Sequence, residues 1–120
     1  MNTLRIGAGA GYSGDRLEPA VELARDGQLD YLVFECLAER TIALAQQARL
    51  ADPRAGFDPL LAERMRAVLP YVRRGGQRLR IITNMGAANP RGAARQVSVI
   101  AAELGLQGLK VAAVEGDDVL

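Results

Sequence analysis

The sequence predicts an α/β fold: a parallel sheet of four strands covered by helices. Three observations carry that expectation. Short apolar runs alternate with longer segments whose apolar residues recur at helical spacing. Glycine, proline or polar residues separate each run from the next. The resulting order, β-α-β-α-α-β-α-β, is that of strands joined by crossover helices, which pair in parallel. An incomplete Rossmann-like domain and an incomplete barrel-type domain both begin in this way.

The elements follow in order. "TLRI" (3–6) is a strand closed by glycines, and "EPAVELARDG" (18–27) is a helix. Leu17, Ala20, Val21 and Ala24 share one face of it. Asp15 and Glu18 fit a capping box, and Gly27 suits its end. "DYLVFE" (30–35) is the second strand. In "AERTIALAQQARLADP" (38–53), Leu37, Thr41, Leu44 and Ala48 make a buried stripe, and Pro53 lies past the end. "DPLLAERMRAVLPYVRRGG" (58–76) opens with Asp58 as N-cap and Pro59 at the first helical position. Leu61, Met65, Val68 and Leu69 form its apolar face, and Pro70 kinks or ends it. "LRIIT" (79–83) is the third strand, and "NMGAANP" a loop. Asn89-Pro90 then opens a helix that buries Ala93, Val97, Ile100, Ala101 and Leu104 and stops at Gly105. "LKVAAV" (109–114) is the fourth strand, followed by "EGDDVL".

Composition narrows the function classes. A length of 120 residues is enough for a single domain with its own core. The net charge is +1, and no basic block or aromatic platform offers itself to nucleic acid. No apolar run reaches membrane-spanning length, and no signal peptide is evident, so a cytoplasmic protein without nucleic-acid or membrane partners is expected. The chain has no histidine and one cysteine, Cys36. It therefore cannot build a Ser-His-Asp or Cys-His site, or a zinc site of soft ligands, from its own residues. Any metal would be a hard cation held by carboxylates.

Right-handed crossovers place every strand-to-helix loop at the carboxyl edge of the sheet, where α/β folds bind ligands. Four polar segments collect there. They carry Tyr12, Ser13, Asp15 and Arg16; Glu35, Cys36, Glu39 and Arg40; Thr83, Asn84 and Asn89; and Glu115, Asp117 and Asp118. The opposite edge has plain turns such as "RDGQ" and "RRGGQ".

Gly9-x-Gly11-x-x-Gly14 fits a dinucleotide pattern, and Glu35 stands 21 residues after Gly14, where a carboxylate would hold a ribose hydroxyl. Pro19 weighs against it. That proline puts the helix start near residues 16–18, leaving Gly14 in the loop. Asp15 and Glu18 would also compete with pyrophosphate for the helix dipole. The loop reads as the wall of another ligand site or as a structural turn. The cofactor stays unknown, and no metal site is assigned.

Glu35 is the candidate general base, or else a hydrogen-bonded strand end. Cys36 reads first as a small buried residue. Asn84, Gly86 and Asn89, with the helix N-terminus at Pro90, either offer donors to an anion or only close a turn and cap a helix. Asp117, with Glu115 and Asp118, either holds a hard cation or another ligand group, or is solvated.

At these loops the sequence resembles the acyclic terpene utilisation family, AtuA. The carriers are "RIGAGAGYSGDRLEPAVELA", "DYLVFECLAERTIALAQQARL", "DPLLAERMRAVLP", "ITNMGAANP" and "GLKVAAVEGDDV", in order over nearly the whole chain. The resemblance implies an association with breakdown of acyclic terpenes such as citronellol and geraniol through coenzyme A thioesters. It brings no catalytic residues with it. Family members are several times longer, so residues 1–120 are expected to be the N-terminal fragment of a larger α/β domain, prone to form homo-oligomers when alone. The leading expectation is a site for a small acidic metabolite or acyl-CoA, with Glu35 as base and Gly9, Gly11, Tyr12, Ser13, Gly14, Asn84, Gly86, Asn89 and Asp117 as binding residues. The alternatives are a Rossmann-type oxidoreductase fragment and a non-enzymatic, partner-binding subunit.

Overall fold

The computed structural model describes residues 2–119. Its elements are β1 (Ile6–Ala10), α1 (Glu18–Asp26), β2 (Tyr31–Phe34), α2 (Glu39–Ala51), α3 (Leu61–Val68), β3 (Arg80–Thr83) and α4 (Pro90–Glu103). Short 3₁₀ turns at Leu69–Tyr71 and Arg74–Gly76 lie between α3 and β3. The three strands are parallel in the order β1-β2-β3. Ile6, Tyr31 and Arg80 stand in one row, and Ala10, Phe34 and Thr83 in another.

The expected α/β class and parallel pairing hold, but the sheet has three strands where the sequence predicts four. Residues 109–114 run beside no strand. Beyond Leu109 no backbone amide of this segment makes a hydrogen bond among the described residues. Apolar alternation there meets the composition of a strand without the partner that makes one. Leu109 packs against the core, and just past the segment Arg91 Nε donates to Glu115 Oε2 at 2.8 Å.

The first strand also lies elsewhere than expected. It occupies residues 6–10, so Gly7 and Gly9 are in the strand and not in the loop after it. The reason is packing. A Cβ on Gly9 would fall 2.8 Å from Phe34 Cε1, and one on Gly7 would fall 2.5 Å from Leu29 Cδ1. Glycine lets neighbouring side chains lie against the strand, which outweighs its poor strand propensity.

Alternation sorts the two faces of the sheet. Leu32 and Phe34 are fully buried beneath helices, while Ile6 and Ile82 on the other face are 63% and 54% exposed. The covered face carries the core. Ala20 and Ala24 of α1, Leu61, Met65 and Val68 of α3, and Ala93, Ile100 and Ala101 of α4 close over Leu32 and Phe34. The helix after β3 thus packs on the same side as those before it, against α3. A doubly wound dinucleotide fold would send that helix to the opposite face.

α3 and α4 bury the faces their periodicity predicts, with Val97 at the margin and Leu104 at 38% exposure outside. α1 buries Ala20 and Ala24 as expected, but Leu23 packs against the core where Leu17 and Val21 are predicted. α3 starts two residues after Pro59, but Asp58 still begins the turn: its Oδ1 accepts from the Leu60 amide at 2.8 Å. Pro70 does end the helix, in a 3₁₀ turn. α2 departs from expectation. None of its residues is buried, and Leu44 is 53% exposed. It lies against Gly56 instead, where an added Cβ would fall 2.9 Å from Arg49 Cβ, and Arg49 Nη1 donates to the Ala88 carbonyl at 2.6 Å.

Candidate functional site

The loops after β1, β2 and β3 meet at the carboxyl edge and are tied by side chains. Asn84 is the central tie. Its Oδ1 accepts from the Cys36 amide at 2.8 Å, and its Nδ2 donates to Glu35 Oε1 at 2.6 Å. Asp58 makes a second one. Its amide donates to the Met85 carbonyl at 2.8 Å, and its Oδ2 accepts from Ser13 Oγ at 3.1 Å. The 11–17 loop, the start of α3 and the 84–89 loop thereby form one rim.

Glu35 is exposed on that rim. Both hydrogen bonds to its carboxylate fall on Oε1, the second from the Leu37 amide at 3.2 Å. The Asn84 amide, helped by that backbone donor, holds its carboxyl below the usual carboxylate range. Glu35 is therefore ionised at neutral pH, the form a general base requires, though its basicity is lowered by the same bonds. Cys36 beside it is buried, and burial pushes its thiol up to about 11. It is a packed thiol and not a nucleophile at neutral pH.

The binding candidates fall into different settings. Gly9 lies in β1 against Phe34. Gly11 opens the loop, and its amide donates to Asp15 Oδ2 at 2.9 Å. Asp15 Oδ1 accepts from the Arg16 amide at 2.8 Å. These two backbone donors hold the Asp15 carboxyl below its ordinary range. Asp15 therefore closes the loop on itself, where a capping role for α1 is predicted. The N-cap of α1 is Leu17, without a side-chain bond. Tyr12 is 60% exposed, and Gly14 turns at φ +86° with no heavy atom within 4 Å of a would-be Cβ.

At the start of α4, Asn89 is buried and engaged on both ends. Its Oδ1 accepts from the Gly92 amide at 3.0 Å, while Nδ2 donates to the carbonyls of Pro53 and Ala55. Gly86 allows the close approach of Pro90, whose Cα would lie 2.9 Å from an added Cβ. Asp117 sits in the exposed 110–119 segment. Among the described residues no hydrogen bond or ion pair joins it to Glu35 or Asn84, and no group of three or more acidic or cysteine residues could hold a metal.

One residue of the site escapes the sequence reading. Arg64 is 1% exposed, on the apolar face of α3 beside Leu61, Met65 and Val68. Its Nη2 donates to the Asp15 carbonyl at 2.7 Å, and its guanidinium lies 5.8 Å from the centroid of the Phe34 ring. Nε and Nη1 are buried with no partner among the described residues. The available signal is its position in the stripe at 61, 64, 65 and 68, where a charged residue interrupts an apolar run.

With this geometry in place, comparison with known families is direct. The model of the acyclic terpene utilisation family protein AtuA matches residues 4–120. The chain belongs to the AtuA family. No curated protein and no solved structure matches it. The AtuA match takes in all three strands and the whole rim, including Glu35, Asn84 and the 11–17 loop. Among the described residues of this AtuA chain, no helix is long and apolar enough to cross a membrane.

Proposed function

We propose that this AtuA family chain binds a small acidic metabolite, as the free acid or its coenzyme A thioester, at the carboxyl edge of its sheet during acyclic terpene breakdown. The observation that carries the reading is the Asn84 tie. It fixes an ionised, exposed carboxylate, Glu35, at the point where the loops after β2 and β3 meet. Glu35 is a hydrogen-bonded strand end, but both bonds to its carboxylate use Oε1, and a base placed by a neutral amide is held in position without being neutralised. In this reading the Gly11–Gly14 loop and the loop around Gly86, both tied to Asp58, flank the carboxylate.

The test is turnover of acyclic terpenoid acids and their coenzyme A thioesters by the intact protein. Glu35→Gln should abolish turnover and leave thermal unfolding within a few degrees of wild type. Full activity in that variant removes Glu35 as the base. A parallel titration with NAD(H) and NADP(H) checks the oxidoreductase reading, which the placement of α4 beside α3 disfavours.

The bare face of the sheet favours a second, compatible role in assembly. Parallel sheets are ordinarily covered on both sides, and here Ile6 and Ile82 stand open. A homo-oligomer through this face should dissociate on Ile82→Asp, as read by light scattering. A wild-type monomer at high concentration removes that reading.

A further inference from the structure

We propose that the Arg64 guanidinium is the receptor for the carboxylate of a small monocarboxylic acid that enters between residues 15–18 and the start of α3. This deepens the reading above and rests on it, because it names the group that the rim recognises.

A guanidinium is charged at every accessible pH and carries five N–H donors. Arg64 uses one, on the Asp15 carbonyl, while the Nε and Nη1 donors are buried and unanswered. Leaving buried donors of a charged group unanswered is unfavourable, so a site that keeps them has a use for them. The Asp15 carboxylate lies within electrostatic reach of Arg64, but neither it nor Asp58 accepts a hydrogen bond from the guanidinium. Asp58 spends its oxygens on the Leu60 amide and Ser13, and Asp15 spends its own on the Gly11 and Arg16 amides. The Phe34 ring beneath the guanidinium offers a π face but no hydrogen-bond acceptor in the plane of the fork.

The way in is a cleft of about 360 Å³ that Arg64 lines. Its other walls define the ligand. Leu17 and Leu60 give it an apolar side, Asp15, Glu18 and Glu63 give it three carboxylates, and Arg16, paired with Glu18, adds an exposed cation. Two cations against three acids leave an excess of negative charge, which opposes a polyanion far more than a ligand with a single charge. That selects a monocarboxylate with an apolar body over a pyrophosphate. The unanswered nitrogens lie below the surface, so the acid reaches them as residues 15–17 draw back from α3. The bond from Nη2 to the Asp15 carbonyl is the one that this movement breaks.

The experiment follows the arginine Nε–H resonances of the intact wild-type chain by heteronuclear NMR during titration with acetate, hexanoate and pyrophosphate at constant ionic strength. One resonance, assigned to Arg64 by its contacts with the Phe34 ring protons, should shift saturably with acetate and hexanoate and stay fixed with pyrophosphate. Hexanoate should bind more tightly than acetate. Arg64→Lys should weaken hexanoate binding by roughly tenfold to a hundredfold, the scale of a lost charge-assisted hydrogen bond. If the variant does not fold, the wild-type titration decides by itself. An unmoved Arg64 resonance overturns the assignment, and a saturable response to pyrophosphate overturns the ligand class. Hexanoate binding with turnover indifferent to Glu35 retires the base alone, while Glu35-dependent turnover without binding at Arg64 retires the receptor alone.

Discussion

Asn84 Nδ2 lies 2.6 Å from Glu35 Oε1, and the same side chain accepts from the Cys36 amide through Oδ1. One amide thus orients the candidate base and satisfies a part-buried backbone donor. Asn84→Ala should raise the Glu35 pKa toward its ordinary value of 4.5, because the Asn84 bond is the larger of the two effects that lower it. The sign follows from linkage. A carboxyl whose folded pKa is depressed stabilises the fold above the unfolded value and loses that contribution as pH falls through the folded one. Acid unfolding of wild type should therefore include a small loss below about pH 4.5 that Asn84→Ala reduces. Carbon-detected titration of the Glu35 carboxyl measures it. A Glu35 curve identical in the two proteins contradicts the assignment.

The same substitution leaves the Cys36 amide without its acceptor. The expected cost is about 1–3 kcal/mol in a urea melt, the range for an orphaned polar group. Asn84→Asp keeps the acceptor but brings a second carboxylate against Glu35. It should raise the Glu35 pKa above the wild-type value, which distinguishes the donor role of Nδ2 from the acceptor role of Oδ1.

Cys36 gives an alkaline signature. Its folded thiol titrates at about 11 against an ordinary value of 9.0. Between these values the unfolded chain gives up a proton that the folded chain keeps, so stability falls as pH rises across that window. Cys36→Ala should flatten this slope in melts between pH 8 and pH 11. At pH 8 the thiol of the native protein should react with a disulfide reagent far more slowly than in urea. Equal rates in the two conditions contradict its burial.

Gly9→Ala tests whether the glycines of β1 serve packing. The added methyl would meet the Phe34 ring at 2.8 Å, against the edge of a fully buried side chain. Overpacking of this kind costs about 1–3 kcal/mol. Gly14→Ala has open space but a φ of +86°, so its cost should come from backbone strain, about 1 kcal/mol, with no effect on the core. The pair Gly9→Ala and Phe34→Leu should be less destabilising than the sum of its parts, which a double-mutant cycle in urea reads directly.

Much of the fold is legible in the chain. The faces of α3 and α4, and the Ala20 and Ala24 contacts of α1, follow from helical periodicity, and Asp58, Pro70 and Asn89 mark ends where local chemistry leaves few choices. Other features depend on neighbours that local pattern does not reveal. Gly7 and Gly9 read as loop because glycine disfavours strands, yet Leu29 and Phe34 need the room they leave. The stripe of α2 reads as buried because periodicity records an apolar face without saying what it meets. Residues 109–114 have the pattern of a strand, but pairing is a property of two segments. At the site, Glu35 and Asn84 stand out as polar residues at strand ends, though only the fold shows that they bond. Arg64 is the opposite case. Its charge goes unremarked in the sequence, and only the fold places it inside the apolar face of α3.

The stacking of Arg64 over Phe34, and of Phe34 over Gly9, makes a column from strand backbone to receptor. A column has a height. The ring is the spacer that sets how far the guanidinium stands above the sheet, and so how deep in its cleft an acid must reach. On the proposal that Arg64 receives an acid, ligand selectivity would be tuned by residues that no ligand touches: a thinner spacer at Phe34 would lower the floor, and a methyl on Gly9 would lift it.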